Sequence, residues 1–310
     1  MGVGSYKVLI EVRGGKGGDG LVSFRHFPKK PKGGPDGGDG GNGGGVYIEA
    51  SENFYSLEHL SCFASLKAED GEIGGKEKRH GRNGNDLIIK VPVGTAIYEG
   101  DEKSLIADLV EPKQKVKIAK GGKGGKGNAS FATSTNHIPK IATPGEPGET
   151  KKILLIFSPK VKVAVIGPPN VGKSSLIATL TGKKIDVAPY PFSTKKPHLW
   201  THIHNFERYT FLDTPPFVPE TFEEIKILTK RAEILLIVFD SSELKNFKEI
   251  EVMAEDFLKE NRDKKIAIVL SKIDKTDQIP SFISSYPIFP LSTETEKGMD
   301  KLRKFIFGKE

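Results

Sequence analysis

Strand-like alternation of apolar and polar residues marks Lys7 to Val12, Leu87 to Val93 and Lys115 to Ala119, the pattern of strands with one buried and one solvated face. Turn residues separate the three, which together predict a small β-structure. Beyond Ser158 the pattern changes. The runs Lys162 to Ile166, Tyr209 to Leu212, Ile234 to Phe239, Ile266 to Leu270 and Ile288 to Leu291 are short, rich in branched residues and mostly uninterrupted, as strands buried on both faces are. Helical spacing lies between them. Ile250, Met253, Phe257 and Leu258 form one apolar stripe, and Leu302, Phe305 and Ile306 another, both predicted to face a core. His198 to His204 and Arg208 to Leu212 predict a hairpin turning near Asn205. His202 and His204 share one face of its first strand, but no third metal ligand stands nearby. The second half therefore reads as α/β.

Glycine separates the halves. Of 35 glycines only Gly167, Gly172, Gly182, Gly298 and Gly308 lie beyond Ser158, so the composition predicts a glycine-rich domain over 1–158 and an α/β domain over 159–310. The earlier glycines recur at every third position: Gly14, Gly17 and Gly20; Gly34, Gly37, Gly40 and Gly43; Gly121, Gly124 and Gly127. Three residues per turn is the repeat of polyproline II, and a glycine on the same edge of each turn lets extended chains approach backbone to backbone. A flexible linker has no such register, so these tracts are expected to bundle. Collagen is excluded because each tract is only a few triplets long.

Charge and cysteine content narrow the setting. The formal net charge is +7, which favours an anionic partner. In the glycine-rich half the cations cluster: Arg25, Lys29, Lys30 and Lys32 around Phe24 and Phe27; Lys76, Lys78, Arg79, His80 and Arg82; Lys120, Lys123 and Lys126. Each cluster alone is an ordinary solvated surface, but three on glycine-rich loops suit an RNA backbone. No stretch approaches the roughly 20 consecutive apolar residues that span a bilayer, and the N-terminus has no secretory pattern. The expected setting is cytoplasmic. A lone cysteine, Cys62, agrees: it excludes an internal disulfide and a cysteine-cluster metal site and is expected to be buried and inert.

The chemistry lies in the second half. Gly167-Pro168-Pro169-Asn170-Val171-Gly172-Lys173-Ser174 follows an apolar run and leads into Ser175-Leu176-Ile177-Ala178. This is a phosphate-binding loop between strand and helix. Successive N–H groups cradle phosphate oxygens at the helix N-terminus, Lys173 reaches the β- and γ-phosphates, and Ser174 ligates Mg²⁺. Asp213-Thr214-Pro215-Pro216 ends another predicted strand, where an aspartate holds Mg²⁺ through water. Ser271-Lys272-Ile273-Asp274 ends a third. A carboxylate there accepts both the ring N–H and the exocyclic amine of guanine, a pair that adenine does not offer; Lys272 would lie along the base. Ser292, Thr293 and Glu294 follow a fourth strand, where backbone N–H groups can meet the guanine oxygen. Four motifs in order at strand ends imply a GTP-binding domain.

The N-terminal half resembles the Obg family of bacterial GTPases in VSFR at Val22 to Arg25, KGGPDGGDGGNGG at Lys32 to Gly44, KAEDGE at Lys67 to Glu72, GRNG at Gly81 to Gly84, VPVGT at Val91 to Thr95, AKGGKGGKGNASFAT at Ala119 to Thr133 and PGEPGE at Pro144 to Glu149. The resemblance continues nearly to the last residue. It implies a glycine-rich Obg fold, a polyproline II helix bundle on a small β-barrel, followed by an α/β Ras-like P-loop G domain. The implied protein binds the large ribosomal subunit and its rRNA during assembly, here as a monomer without the C-terminal extension of many members. Phe192-Ser193-Thr194 then matches the family's first switch, with Lys195 and Lys196 beside it and Thr194 as second Mg²⁺ ligand. Asn170 matches the residue that helps bind K⁺ in potassium-stimulated relatives. Guanosine tetraphosphate would share the pocket in a stress-sensing role.

Three departures stand out. Pro216 replaces the glycine of DxPG and has no N–H to offer the γ-phosphate. FVPETFEEIKILTK replaces the Gly/His-rich second switch. Ser271 replaces the asparagine of NKxD and is expected to lose an amide hydrogen bond near the base and phosphate loop, about 0.5–1.5 kcal/mol. Phe217 stands where many small GTPases orient the attacking water with glutamine, a position that in the resembled family is generally hydrophobic too; slow turnover is expected, resting on Lys173, on Mg²⁺ with Thr194 as its second ligand, on K⁺ and on a water held by backbone. The alternative is a ribosome-binding assembly protein whose G domain binds guanine nucleotide but barely hydrolyses or switches.

Overall fold

The computed structural model describes residues 6–25, 33–101, 103–182, 198–242, 257–276 and 285–308. The chain divides into two compact units, Met1–Phe157 and Ser158–Glu310. The first contains two sheets among its described residues. Strands β1 (Lys7–Arg13), β3 (Ser65–Lys67), β5 (Thr95–Glu99), β6 (Leu105–Leu109) and β8 (Thr150–Phe157) form one in the order β3-β1-β8-β5-β6, while β2 (Val46–Ser51), β4 (Leu87–Pro92) and β7 (Lys115–Ala119) form the other in the order β4-β2-β7. Alternation decides which face is dry: Val8, Ile10 and Val12 of β1 pack with Val46, Ile48 and Ala50 of β2 in one core, and the intervening side chains stay at the surface.

The glycine tracts form neither helix nor strand, so their backbone groups must find partners elsewhere. They find each other. Gly17 N–H donates to Glu146 O at 2.9 Å, Gly18 to Gly41 at 2.8 Å, Gly40 to Gly125 at 2.8 Å and Gly43 to Gly122 at 2.9 Å. Acidic side chains fasten the same tracts, as where Asp19 Oδ1 accepts from Gly145 N–H at 2.9 Å. The approach leaves no room for a side chain: a Cβ at Gly17 would lie 2.0 Å from the carbonyl oxygen of Lys123, whereas one at Gly34 meets nothing within 4 Å. Gly17→Ala is therefore expected to cost about 3 kcal/mol or more by forcing two main chains apart, lowering the thermal midpoint of this unit by roughly 10 °C. Gly34→Ala should leave it unchanged, and calorimetry of the two variants checks both.

Cys62 is exposed, which corrects the expected burial. It caps the short helix Glu58–Ser61, whose one buried side chain is Leu60, and so lies off the face that packs. Of the basic clusters, Phe27, Lys29, Lys30 and Lys32 lie outside the described residues; those at Lys76–Arg82 and Lys120–Lys126 are exposed.

The second unit has a single sheet among its described residues. Strands β9 (Val163–Ile166), β10 (His198–His204), β11 (Glu207–Asp213), β12 (Ile234–Asp240), β13 (Lys265–Ser271) and β14 (Ile288–Pro290) run in the order β10-β11-β9-β12-β13-β14. All neighbours are parallel except the hairpin β10–β11, which turns through Asn205 and Phe206 at φ of 47° and 65°. Every residue of β12 is buried, as expected for a strand covered on both faces. Helix Lys173–Thr181 covers the sheet with Leu176, Ile177 and Leu180, and helix Met299–Phe307 with Met299, Leu302 and Ile306. Phe257 is buried; Ile250 and Met253 of its stripe lie outside the described residues. The chain leaves β9 toward β11 on one side and β12 on the other, so the carboxyl end of β9 is the point where strand order reverses and ligands of open α/β sheets bind.

Candidate nucleotide site

All four residues of β9 are buried, and Gly167 to Gly172 turns the chain from them into helix Lys173–Thr181. Asn170 and Gly172 have φ of 61° and 90°; the left-handed conformation costs an L residue about 1–2 kcal/mol, which glycine escapes at the helix cap. Lys173 is 8% exposed. Its Nζ donates to the carbonyls of Gly167 and Pro168, each at 2.9 Å, so the ammonium lies across the loop. Burial pulls its pKa below the ordinary lysine value, and the Asp213 carboxylate opposes that shift.

Asp213 arrives from β11. It is buried, and burial raises its carboxyl pKa while Ser174 and Lys173 pull it down. Ser174 Oγ donates to Asp213 Oδ2. A hydroxyl and a carboxylate meeting beside a phosphate loop are the hard oxygen ligands Mg²⁺ takes, so the donor set fits that ion. Lys173, Ser174, Asp213 and Pro216 line a cleft of about 630 Å³. Thr214 Oγ1 donates to Val165 O at 2.9 Å, pinning the segment to β9. Beyond it Pro215 and Pro216 have no N–H, and the next amide, Phe217, donates to Gly167 O at 2.9 Å. The Phe217 ring is buried against Phe222 and Phe257, with centroids 5.7 and 6.1 Å apart. Phe192, Ser193, Thr194, Lys195 and Lys196 lie outside the described residues.

Ser271 to Asp274, the segment expected to read the base, leaves β13 on the far side of β12. Ser271 Oγ lies 2.7 Å from Val171 O and 3.0 Å from Phe239 O. Serine lacks the second donor of an asparagine amide, in keeping with the expected loss of an amide hydrogen bond, but the shorter side chain still reaches the Val171 carbonyl. Lys272 turns through φ 58° and donates to Asn170 O at 2.7 Å. Asp274 is exposed, and a hydrogen bond from Ser292 holds its carboxyl below the ordinary carboxylate range. Ser292 is fully buried, and its Oγ accepts the N–H groups of Glu294 and Thr295, each at 3.2 Å, so one serine orders the loop carrying Thr293 and Glu294. Gly167 to Ser174, Asp213, Asp274 and Ser292 thus all stand at the carboxyl ends of parallel strands in one sheet.

Residues 6–158 match the GTP1/OBG family and residues 162–272 the family described as 50S ribosome-binding GTPase. The chain is 34% identical to GTPase Obg of Salinibacter ruber over 97% of its own length and 94% of that protein's. It is 36% identical to GTPase Obg of Synechocystis over 96% and 86%, and 36% identical to GTPase Obg of Gloeothece citriformis over 94% and 92%. The chain belongs to the Obg family. It is a GTPase, with an Obg N-terminal domain followed by a GTP-binding G domain.

Within this Obg chain one acidic residue escaped the sequence reading. Asp240 ends β12, buried, with Oδ2 2.6 Å from Lys272 Nζ. Its signal was the one that marked Asp213, a carboxylate closing a buried apolar run. His202 and His204 do lie together, ring centroids 6.2 Å apart, but their neighbour is Phe307, 4.4 Å from His204. No group of three potential metal ligands occurs among the described residues, and no described helix is long and apolar enough to cross a membrane.

Proposed function

We propose that the chain holds GTP and GDP with phosphates on Gly167 to Ser174 and guanine on Asp274, and uses the bound state to time its association with an assembling large ribosomal subunit in the cytoplasm. The observation that carries this is the convergence of Lys173, Ser174 and Asp213 in one cleft, with Asp274 and Ser292 at the next strand ends. Lys173 grips the β- and γ-phosphates. Mg²⁺, held by Ser174 and Thr194 and through water by Asp213, would supply charge neutralisation at the phosphates. Asn170 is the proposed K⁺ ligand. The buried Phe217 ring supports slow turnover, since nothing polar from that position can orient water; a rate on the order of 10⁻⁴–10⁻³ s⁻¹ is expected without a stimulating partner. Guanosine tetraphosphate is a further proposed occupant.

The ribosomal half of this reading rests on the family described as 50S ribosome-binding GTPase and on the exposed cations of the N-terminal unit. We read its glycine tracts as polyproline II chains bundled on a small β-barrel, a reading supported by hydrogen bonds between tracts without helix or strand.

One observation favours a second reading, in which nucleotide is bound but not translated into a conformational change. From Thr214 through Phe217 each amide is either missing or committed, and Thr221 Oγ1 donates to Pro216 O at 2.5 Å, so the segment has no free N–H with which to sense a γ-phosphate. A single-turnover assay in Mg²⁺ and K⁺, with and without large subunits, tests the proposal. Subunit-stimulated phosphate release and co-sedimentation that weakens with salt are expected. Release no faster than in Lys173→Ala would overturn the enzyme-timed reading, and equal subunit affinity with GTP and GDP would leave the second one.

A further inference from the structure

The side chain of Asp240 is 5% exposed, and each of its oxygens is occupied. Oδ2 pairs with Lys272 Nζ at 2.6 Å, and Oδ1 accepts from Ser242 N–H at 2.9 Å and Ser242 Oγ at 2.6 Å. Burial raises its pKa, yet the bonds from Lys272 and Ser242 outweigh it and hold the carboxyl below the ordinary value, so the group is ionised at neutral pH. The same Lys272 ammonium reaches Asn170 O at 2.7 Å, 102 residues earlier in the chain. One cation therefore spans from the end of β12 to the phosphate loop, and a lysine stem, with several free rotors, needs a fixed anion to stay in that pose.

This tie matters more here than where the segment begins with asparagine. An amide brings two N–H donors, while Ser271 has one hydroxyl hydrogen to divide between Val171 O and Phe239 O, and it can serve only one of them fully. Ser241 adds support from the strand end, its Oγ donating to Ser271 O at 2.7 Å. The remaining charged link between base-reading segment and phosphate loop is Lys272, aimed by Asp240.

We propose that Asp240 is a positioning residue for bound guanine nucleotide: by holding Lys272 across Asn170 it locks the base-reading segment onto the phosphate loop and sets how long nucleotide stays. The inference rests on the nucleotide-site reading above. Asp240 does not line the cleft of Lys173, Ser174 and Asp213, so its effect should fall on retention, equally for GTP and GDP, and not on the hydrolytic step.

Stopped-flow dissociation of fluorescent GDP and GTP from the full chain tests this. Asp240→Asn is expected to speed release of both by about tenfold, with KM for GTP rising far more than kcat falls. Asp240→Glu should recover part of the loss. In a Lys272→Met background, adding Asp240→Asn should change release less than twofold, because the group it acts through is gone. An equal acceleration in that background would mean that Asp240 acts on the fold alone, and no acceleration in the parent chain would mean that it does not act; either overturns the proposal. If Asp240→Asn fails to fold, Ser242→Ala, which removes one donor to the carboxylate, should still speed release about two- to threefold, and no change there would also overturn it. A parent chain that retains no guanine nucleotide would instead refute the site reading, which separates the two failures.

Discussion

Lys173→Ala is expected to lower single-turnover GTP hydrolysis by about 10²–10³-fold and to weaken GDP binding about tenfold or more. The asymmetry follows from where the charge goes. In the proposed nucleotide complex the ammonium would neutralise oxygens that magnesium and the loop amides would also contact, so its loss would be partly compensated. In the transition state charge gathers on the oxygens of the transferring phosphoryl group, and Lys173 is the one buried ammonium among the described residues lining the cleft. The structure indicates that the variant should fold: Nζ satisfies only the carbonyls of Gly167 and Pro168, while Leu176, Ile177 and Leu180 anchor the helix that follows. Quenched-flow phosphate release at saturating GTP, with mant-GDP titration alongside, separates the two effects. Hydrolysis within threefold of the parent would remove Lys173 from the chemistry.

Much of the G domain was legible because its strands are buried on both faces. The runs ending at Ile166, Leu212, Phe239 and Leu270 became β9, β11, β12 and β13 within a residue or two, since burial on both sides leaves little room for a polar residue. The motifs at their ends were legible for a related reason: glycine at a positive φ and a carboxylate closing an apolar run are each costly unless the fold uses them. What escaped was long-range pairing. Asp240 and Lys272 lie 32 residues apart, and nothing local in either segment announces the other. The glycine register predicted that tracts approach one another, but not that Gly17 meets Glu146 or Gly40 meets Gly125, because which chains are neighbours depends on how the sheets close. Ser271 was legible only in part: the missing amide donor could be read, the position of the Val171 carbonyl could not. Side-chain length alone suggested a lost bond, yet the Val171 carbonyl comes within 2.7 Å of the hydroxyl. Cys62 was misjudged from residue type, and its place at the end of a single-turn helix decided otherwise.

Asp274→Asn should exchange the preferred base. The carboxylate offers only acceptors, matching the two donors on the guanine edge; an asparagine amide presents one acceptor and one donor, so one guanine N–H faces another N–H. A site built around hydrogen bonds to its ligand discriminates strongly when one is unmet, and a fall of about 10³-fold in GDP affinity is expected. Xanthine carries an oxygen where guanine carries its amine, so the variant should bind the xanthosine diphosphate the parent rejects. Adenosine diphosphate should gain little, because its edge offers neither pattern. The Ser292 hydrogen bond should make the expected guanine selectivity of the parent robust to acid. With the Asp274 carboxyl held below its ordinary range, guanine preference should persist as pH falls until that lowered pKa is passed, and only there should guanine and xanthine affinities converge. Competition titrations with the three diphosphates across pH read both effects. Retained guanine preference in Asp274→Asn would mean that the base is read elsewhere, and Ser292, Thr293 and Glu294 would be the residues to test next.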